Sequence, residues 1–196
     1  MKPELTVDYA KEIQGQGGVH DVRAEGRESP LLERIDEWRT CHPYAATALE
    51  TTAVWAGREA LTGVVHAGTS VKVGHGWKNS RLGRLFSQPA VALGVGLVLS
   101  PHLEERICRE QPSRYLDRAG REGLQAPIGT LAAAVFATGH AGREAVPVPQ
   151  FVGGLNYWRL QRTRGFKHAV LAHALHNGLA WGASRLKQKI SATSRG

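Results

Sequence analysis

The chain predicts an all-α fold, a multi-pass membrane helical bundle of about five apolar helices behind a polar N-terminal leader, and three observations predict it. Residues 85–103, 123–142 and 168–184 contain no Asp, Glu, Lys or Arg, and 145–158 is a shorter run of the same kind. Their lengths of 19, 20, 17 and 14 residues bracket the roughly 20 needed to span a bilayer as a helix. Alternating runs of β-branched residues hardly occur, so nothing signals strands. The charges collect in the connections between the apolar runs, a segregation that the mean hydropathy of −0.28 conceals; taken alone, that average argues for a water-soluble chain.

Taken in order, residues 1–42 are polar and charged and read as a leader, with an amphipathic, interfacial helix over 30–39. They lack the basic, apolar and small-residue succession of a secretory signal peptide. The helical membrane core is expected over 43–187, with its motif-bearing part at 85–185. A mostly apolar run from Pro43 to about Val65 carries Glu50, Arg58 and Glu59, charges that fit a bilayer only if they face a protein interior. Gly68 to Arg84 reads as a loop, rich in glycine and basic residues. Pro89 opens a helix through Leu99, which Ser100-Pro101 kinks or restarts, and Pro112, Gly120 and Gly123 mark the next connection. Pro127 starts a helix over Ile128 to His140, Gly142 to Pro149 is a break, and a short helix runs from Phe151 to Leu160. Thr163-Arg164-Gly165 then turns into a last helix from Phe166 to about Lys187, followed by a polar, frayed tail over 188–196.

At 196 residues the chain is expected to hold one domain, or one domain plus an appendage, and is long enough to bury a sizeable core. The formal charge of +8 is compatible with nucleic acid, anionic lipid or cytoplasmic loops. No basic stripe interleaves with aromatics, so nucleic acid is not an expected partner. If all five apolar runs cross, basic residues divide 15 to 9 in favour of the side holding the N-terminus, which places that side in the cytoplasm. The two cysteines, Cys41 and Cys108, make no disulfide framework.

Three constellations carry chemistry, each at the polar end of an apolar stretch: Glu104-Glu105-x-x-x-Arg109, Phe136-x-x-x-His140 and His173-x-x-x-Asn177. Residues four apart share a helix face, so Glu105 and Arg109 pair while Glu104 points elsewhere and is left as a base. A carboxylate in an apolar, partly dehydrated setting holds its proton more tightly, and a nearby imidazole restrains or shares that proton, which suits activation of water. His140 closes a stretch with almost no other polarity, and Phe136, one turn earlier, walls the site from water. His173 and Asn177 project to one side of the last helix as a donor pair that would stabilise a developing oxyanion. His176 is given no role. Spacings of 36 residues from Glu104 to His140 and 33 from His140 to His173 leave room for a helical hairpin between motifs.

These motifs, over residues 85–185, resemble the CPBP family, the CAAX-type and bacteriocin-processing intramembrane glutamic proteases. Their signature is Glu-Glu-x-x-x-Arg, Phe-x-x-x-His and His-x-x-x-Asn. The family's Thr-Gly turn before the last motif is similar to Thr163-Arg164-Gly165. The resemblance implies that Glu104 activates water with help from His140, that His173 and Asn177 form the oxyanion site, and that Glu105 and Arg109 buttress the first helix. It implies a metal-independent endopeptidase without cofactor that matures a protein or peptide substrate in a lipid membrane. Cys108 stands where relatives usually carry an aromatic, Glu110 where glycine is common, and Arg164 interrupts the turn. Two other readings remain at this stage. Glu104, His140 and His173 could ligate a metal in a membrane protease, or the polar residues could serve only as interhelical bonds in a non-catalytic immunity or scaffold protein.

Overall fold

The computed structural model describes residues 30–69, 88–141 and 146–194. Residues 1–29 of the leader, 70–84 of the loop expected over 68–84 and the first half of the break expected over 142–149 lie outside the described residues, while Gly68 ends a helix. The chain divides into two compact units, Met1–Trp38 and Arg39–Gly196. Of the first, the described part is helical, lying in α1 (Pro30–Cys41), in which no residue is buried.

The described residues form five further helices: α2 (Pro43–Gly68), α3 (residues 89–118), α4 (Gln125–Ala141), α5 (Val148–Arg164) and α6 (Phe166–Thr193). No strand occurs among the described residues, and the class is all-α. Proline stands in the first turn of α2, α3 and α5, where its missing N–H costs no helical hydrogen bond. Gly165 ends α5 with φ +90°, backbone that an L side chain adopts only with strain. In the second unit α6 packs against α2, α3 and α5, and α4 lies against α5 and α3.

The helix expected to stop near Leu99 continues through both Pro101 and Pro112 to Arg118. Its turns widen just before each proline. Ala92–Leu99 and Arg106–Glu110 are π-helical, with Ser100 N–H bonded to Val95 O and Gln111 N–H bonded to Arg106 O. A proline in a regular helix would clash with the carbonyl four residues back, and the five-residue spacing relieves that clash. α6 likewise runs on to Thr193 where a frayed tail was expected, and α5 extends beyond Phe151–Leu160 at both ends.

No helix among the described residues is long and apolar enough to cross a membrane, so the expectation of about five spanning helices is not matched by the described elements. The physical reason lies in their lengths and charges: α4 and α5 have 17 residues each, α2 carries Glu50, Arg58 and Glu59, and α3 bears the motif charges. Their polarity is nonetheless inverted. α2 turns Thr47, Thr51 and Arg58 inward and leaves Leu49, Leu61 and Val64 exposed. Leu93, Val98 and Ile107 of α3 and Leu131 and Val135 of α4 are also exposed.

The interior is closed by small residues. A Cβ at Gly129 would lie 2.5 Å from the Trp158 indole, and one at Gly154 would lie 3.0 Å from Ala133 Cα. Such Gly-Ala seams let helix backbones approach closely. The buried apolar cluster is correspondingly slight: Phe136, Tyr157, Leu160, Ala169 and Ala172.

Candidate active site

Each motif occupies one helix, and the three helices meet around the Phe136 ring. On α3, Glu105 and Arg109 are both fully buried, with Arg109 Nη1 3.2 Å from Glu105 Oε1. That N–H is not aimed well enough to make a hydrogen bond, so the pair is held by charge. The guanidinium lies over the Phe136 ring, 4.4 Å from its centroid, and 5.6 Å from that of Tyr157, a cation–π arrangement. Gly154 makes this possible, since a Cβ there would come within 3.2 Å of Arg109 Nη2.

His173, buried on α6, reaches across to α3. Its Nδ1 donates to Glu105 Oε1 at 2.8 Å, and its Nε2 lies 3.9 Å from Glu104 Oε2. The ring is stacked on Tyr157, with centroids 4.7 Å apart and planes 14° from parallel. Glu104 is partly exposed; its Oε1 accepts from Ser100 Oγ, while Oε2 is buried without a hydrogen-bond partner. The result is an ordered line from Arg109 through Glu105 and His173 to Glu104. Arg109 and Glu105 cancel in charge. Between His173 and Glu104 the 3.9 Å separation is that of a charge contact and is too long for a hydrogen bond.

His140 stands at the end of α4. Its Nδ1 is 2.7 Å from Phe136 O, and because a carbonyl only accepts, Nδ1 carries the proton and Nε2 is the atom that exchanges one. The Phe136 ring touches both imidazoles, with centroids 4.5 Å from His140 and 5.4 Å from His173. Phe136 therefore spaces the two rings.

Asn177 does something the sequence did not suggest. Its Nδ2 donates to Gly96 O at 2.8 Å. In the widened register, Gly96 O would accept from residue 101, which is proline and has no N–H. The amide of α6 replaces the missing backbone donor of α3, leaving its second N–H for other use.

Two further groups escaped sequence reasoning. His176, which was given no role, is buried, and its Nε2 accepts from Nη1 of the buried Arg58 on α2. The Nη2 of Arg58 binds Glu59 Oε1 at 2.7 Å. Tyr157 packs against both His173 and His176. The signal available was the Arg58-Glu59 pair standing alone between the uncharged runs 51–57 and 60–65, which marks charges needing an internal partner, but the histidine that meets Arg58 lies 118 positions away.

Burial pushes the Cys108 thiol up from the ordinary value, against the pull of Arg109 and with that of Glu105 and Glu104. Among the described residues, no three or more His, Cys, Asp or Glu side chains are grouped to hold a metal ion. Comparisons with family models, curated proteins and solved structures find no match to this chain.

Proposed function

We propose that the chain is a metal-independent glutamic endopeptidase of a membrane bundle, with a protein or peptide as substrate. The observation that carries this reading is the imidazole of His173, fixed through Nδ1 on the charge-balanced Glu105–Arg109 pair and presenting Nε2 to Glu104.

In this reading the Glu104 carboxylate takes a proton from water as the oxygen attacks the scissile carbonyl carbon. His140, whose ring packs on the same Phe136 as that of His173, helps to position that water. The Nε2–H of His173, released from Glu104 once that carboxylate is protonated, donates to the new oxyanion together with the second N–H of Asn177. The proton held by Glu104 then passes to the leaving nitrogen, the C–N bond breaks, and a carboxylic acid and an amine result. Every charge that appears is met by one already in the line, so no metal is required by the bookkeeping. The lipid setting is supported by the outward apolar residues of α2, α3 and α4 and by the small-residue seam between α4 and α5, and the basic excess near the N-terminus supports a cytoplasmic location for that end.

The test is cleavage of a quenched fluorescent peptide library by the full chain in liposomes, with and without chelator. Cleavage should survive the chelator and fall about 10²–10⁴-fold in Glu104→Gln, with the variant still folded. Retained turnover in that variant overturns the assignment. The interhelical bonds from His173 to Glu105 and from Asn177 to Gly96 favour one second reading, a non-catalytic scaffold, in which the wild type cleaves nothing and Glu104→Gln leaves its biological effect intact.

A further inference from the structure

At the end of the second unit where α2 begins and α5 ends, cations gather around one carboxylate. Glu50 Oε1 lies 2.6 Å from Arg164 Nη2 and 3.7 Å from Arg39 Nε, and Glu50 Oε2 lies 2.7 Å from Arg159 Nη2. The two guanidinium groups in close contact with Glu50, those of Arg159 and Arg164, outnumber its single negative charge. An ion pair built only for stability needs one cation for each anion, and crowding like charges around a half-buried centre is unfavourable unless another anion joins them.

The donors are also ordered for such an anion. Arg164 is fixed at both ends of its fork, by Glu50 and by Thr47 Oγ1 at 3.0 Å. Arg159 uses one nitrogen, Nη2, for both Glu50 and Asn156 Oδ1, the latter at 3.1 Å. Its Nη1 and Nε have no partner among the described residues, and half of the side chain is exposed. Asn156 is more than nine-tenths buried, and its Nδ2, on the same amide that Arg159 holds, has no hydrogen-bond partner. Glu50 thus acts as a pin that orients two arginine forks, while donors from Arg159 and a neutral amide remain beside it.

We propose that this cluster binds a phosphoryl group, carried either by an anionic lipid headgroup or by free phosphate. A tetrahedral anion with one to two negative charges matches both the excess charge and the planar, multi-donor geometry of arginine. The site shares no residue with the three motifs and does not depend on the peptidase reading.

The experiment measures the thermal stability of the full chain in zwitterionic detergent with added inorganic phosphate, short-chain phosphatidylglycerol, or short-chain phosphatidylcholine. A rise in Tm with phosphatidylglycerol alone assigns the site to lipid, and an equal rise with inorganic phosphate assigns it to the free ion; phosphatidylcholine should give no comparable rise. Arg159→Gln should abolish the rise. The proposal is overturned if neither anionic compound raises Tm, or if the rise persists in Arg159→Gln.

Discussion

Replacing Arg109 by Met tests whether the line of charges is a coupled unit. The side chain is fully buried, its counter-charge is the equally buried Glu105 at 3.2 Å, and its aliphatic part is the portion that Met would retain. Removing one member of a buried pair costs roughly 3–5 kcal/mol, because the other is left uncompensated. The guanidinium's own poorly aligned N–H groups disappear as well, so the expected loss is at the lower end, about 3 kcal/mol. For a chain of this size that corresponds to a fall in Tm of roughly 6–12 °C. Glu105→Gln should cost more, since it strands the arginine with its donors and weakens the charge-assisted bond from His173. The double variant removes both charges, and its loss should undercut the sum of the singles by at least about 2 kcal/mol. The assay is thermal or urea unfolding of the four proteins under one detergent condition. A single variant within about 1 kcal/mol of wild type, or strict additivity, would refute the coupling.

Three other outcomes follow from distances already given. Gly154→Val should cost about 1–3 kcal/mol by overpacking, since its first carbon already meets the Ala133 backbone and the Arg109 guanidinium; unchanged unfolding would show that the α4–α5 seam is loose. Phe136→Ala should lose about 3–5 kcal/mol and let both imidazoles shift, read as broadened His140 and His173 ring resonances; sharp, unmoved signals would count against Phe136 as the spacer. Asn177→Ala should cost about 1–3 kcal/mol by leaving the Gly96 carbonyl without a donor, and about 10²–10³-fold in kcat if its second N–H serves the oxyanion; a stability loss with unchanged kcat would confine Asn177 to its structural bond.

The legible part of the fold was what local periodicity encodes. The helical class, the positions of most helices and the pairing of Glu105 with Arg109 at a spacing of four follow from one face of one helix. Relations between helices were less legible. Nothing near His173 announces that its first partner is Glu105 and not Glu104, because that choice depends on how α3 and α6 are rotated about their axes. The prolines at 101 and 112 read as breaks because regular helical geometry forbids them, and the widened turns that admit them are made of ordinary Leu, Val and Arg. The polar stripe of α2 was hidden for a related reason: Thr47 and Arg58 look like interruptions in an apolar segment until their partners on α5 and α6 are known. Glu50 belongs to the same class, since Arg159 and Arg164 stand more than 100 positions from it.

The Gly96 carbonyl joins two positions that no motif would link. Exchanging Pro101 for alanine restores an amide proton at the place α3 lacks one, and Asn177 then has a competitor for its acceptor. Positions 101 and 177 should consequently be coupled in stability: once the imino acid is gone, removing the Asn177 amide costs the fold less than it does beside Pro101.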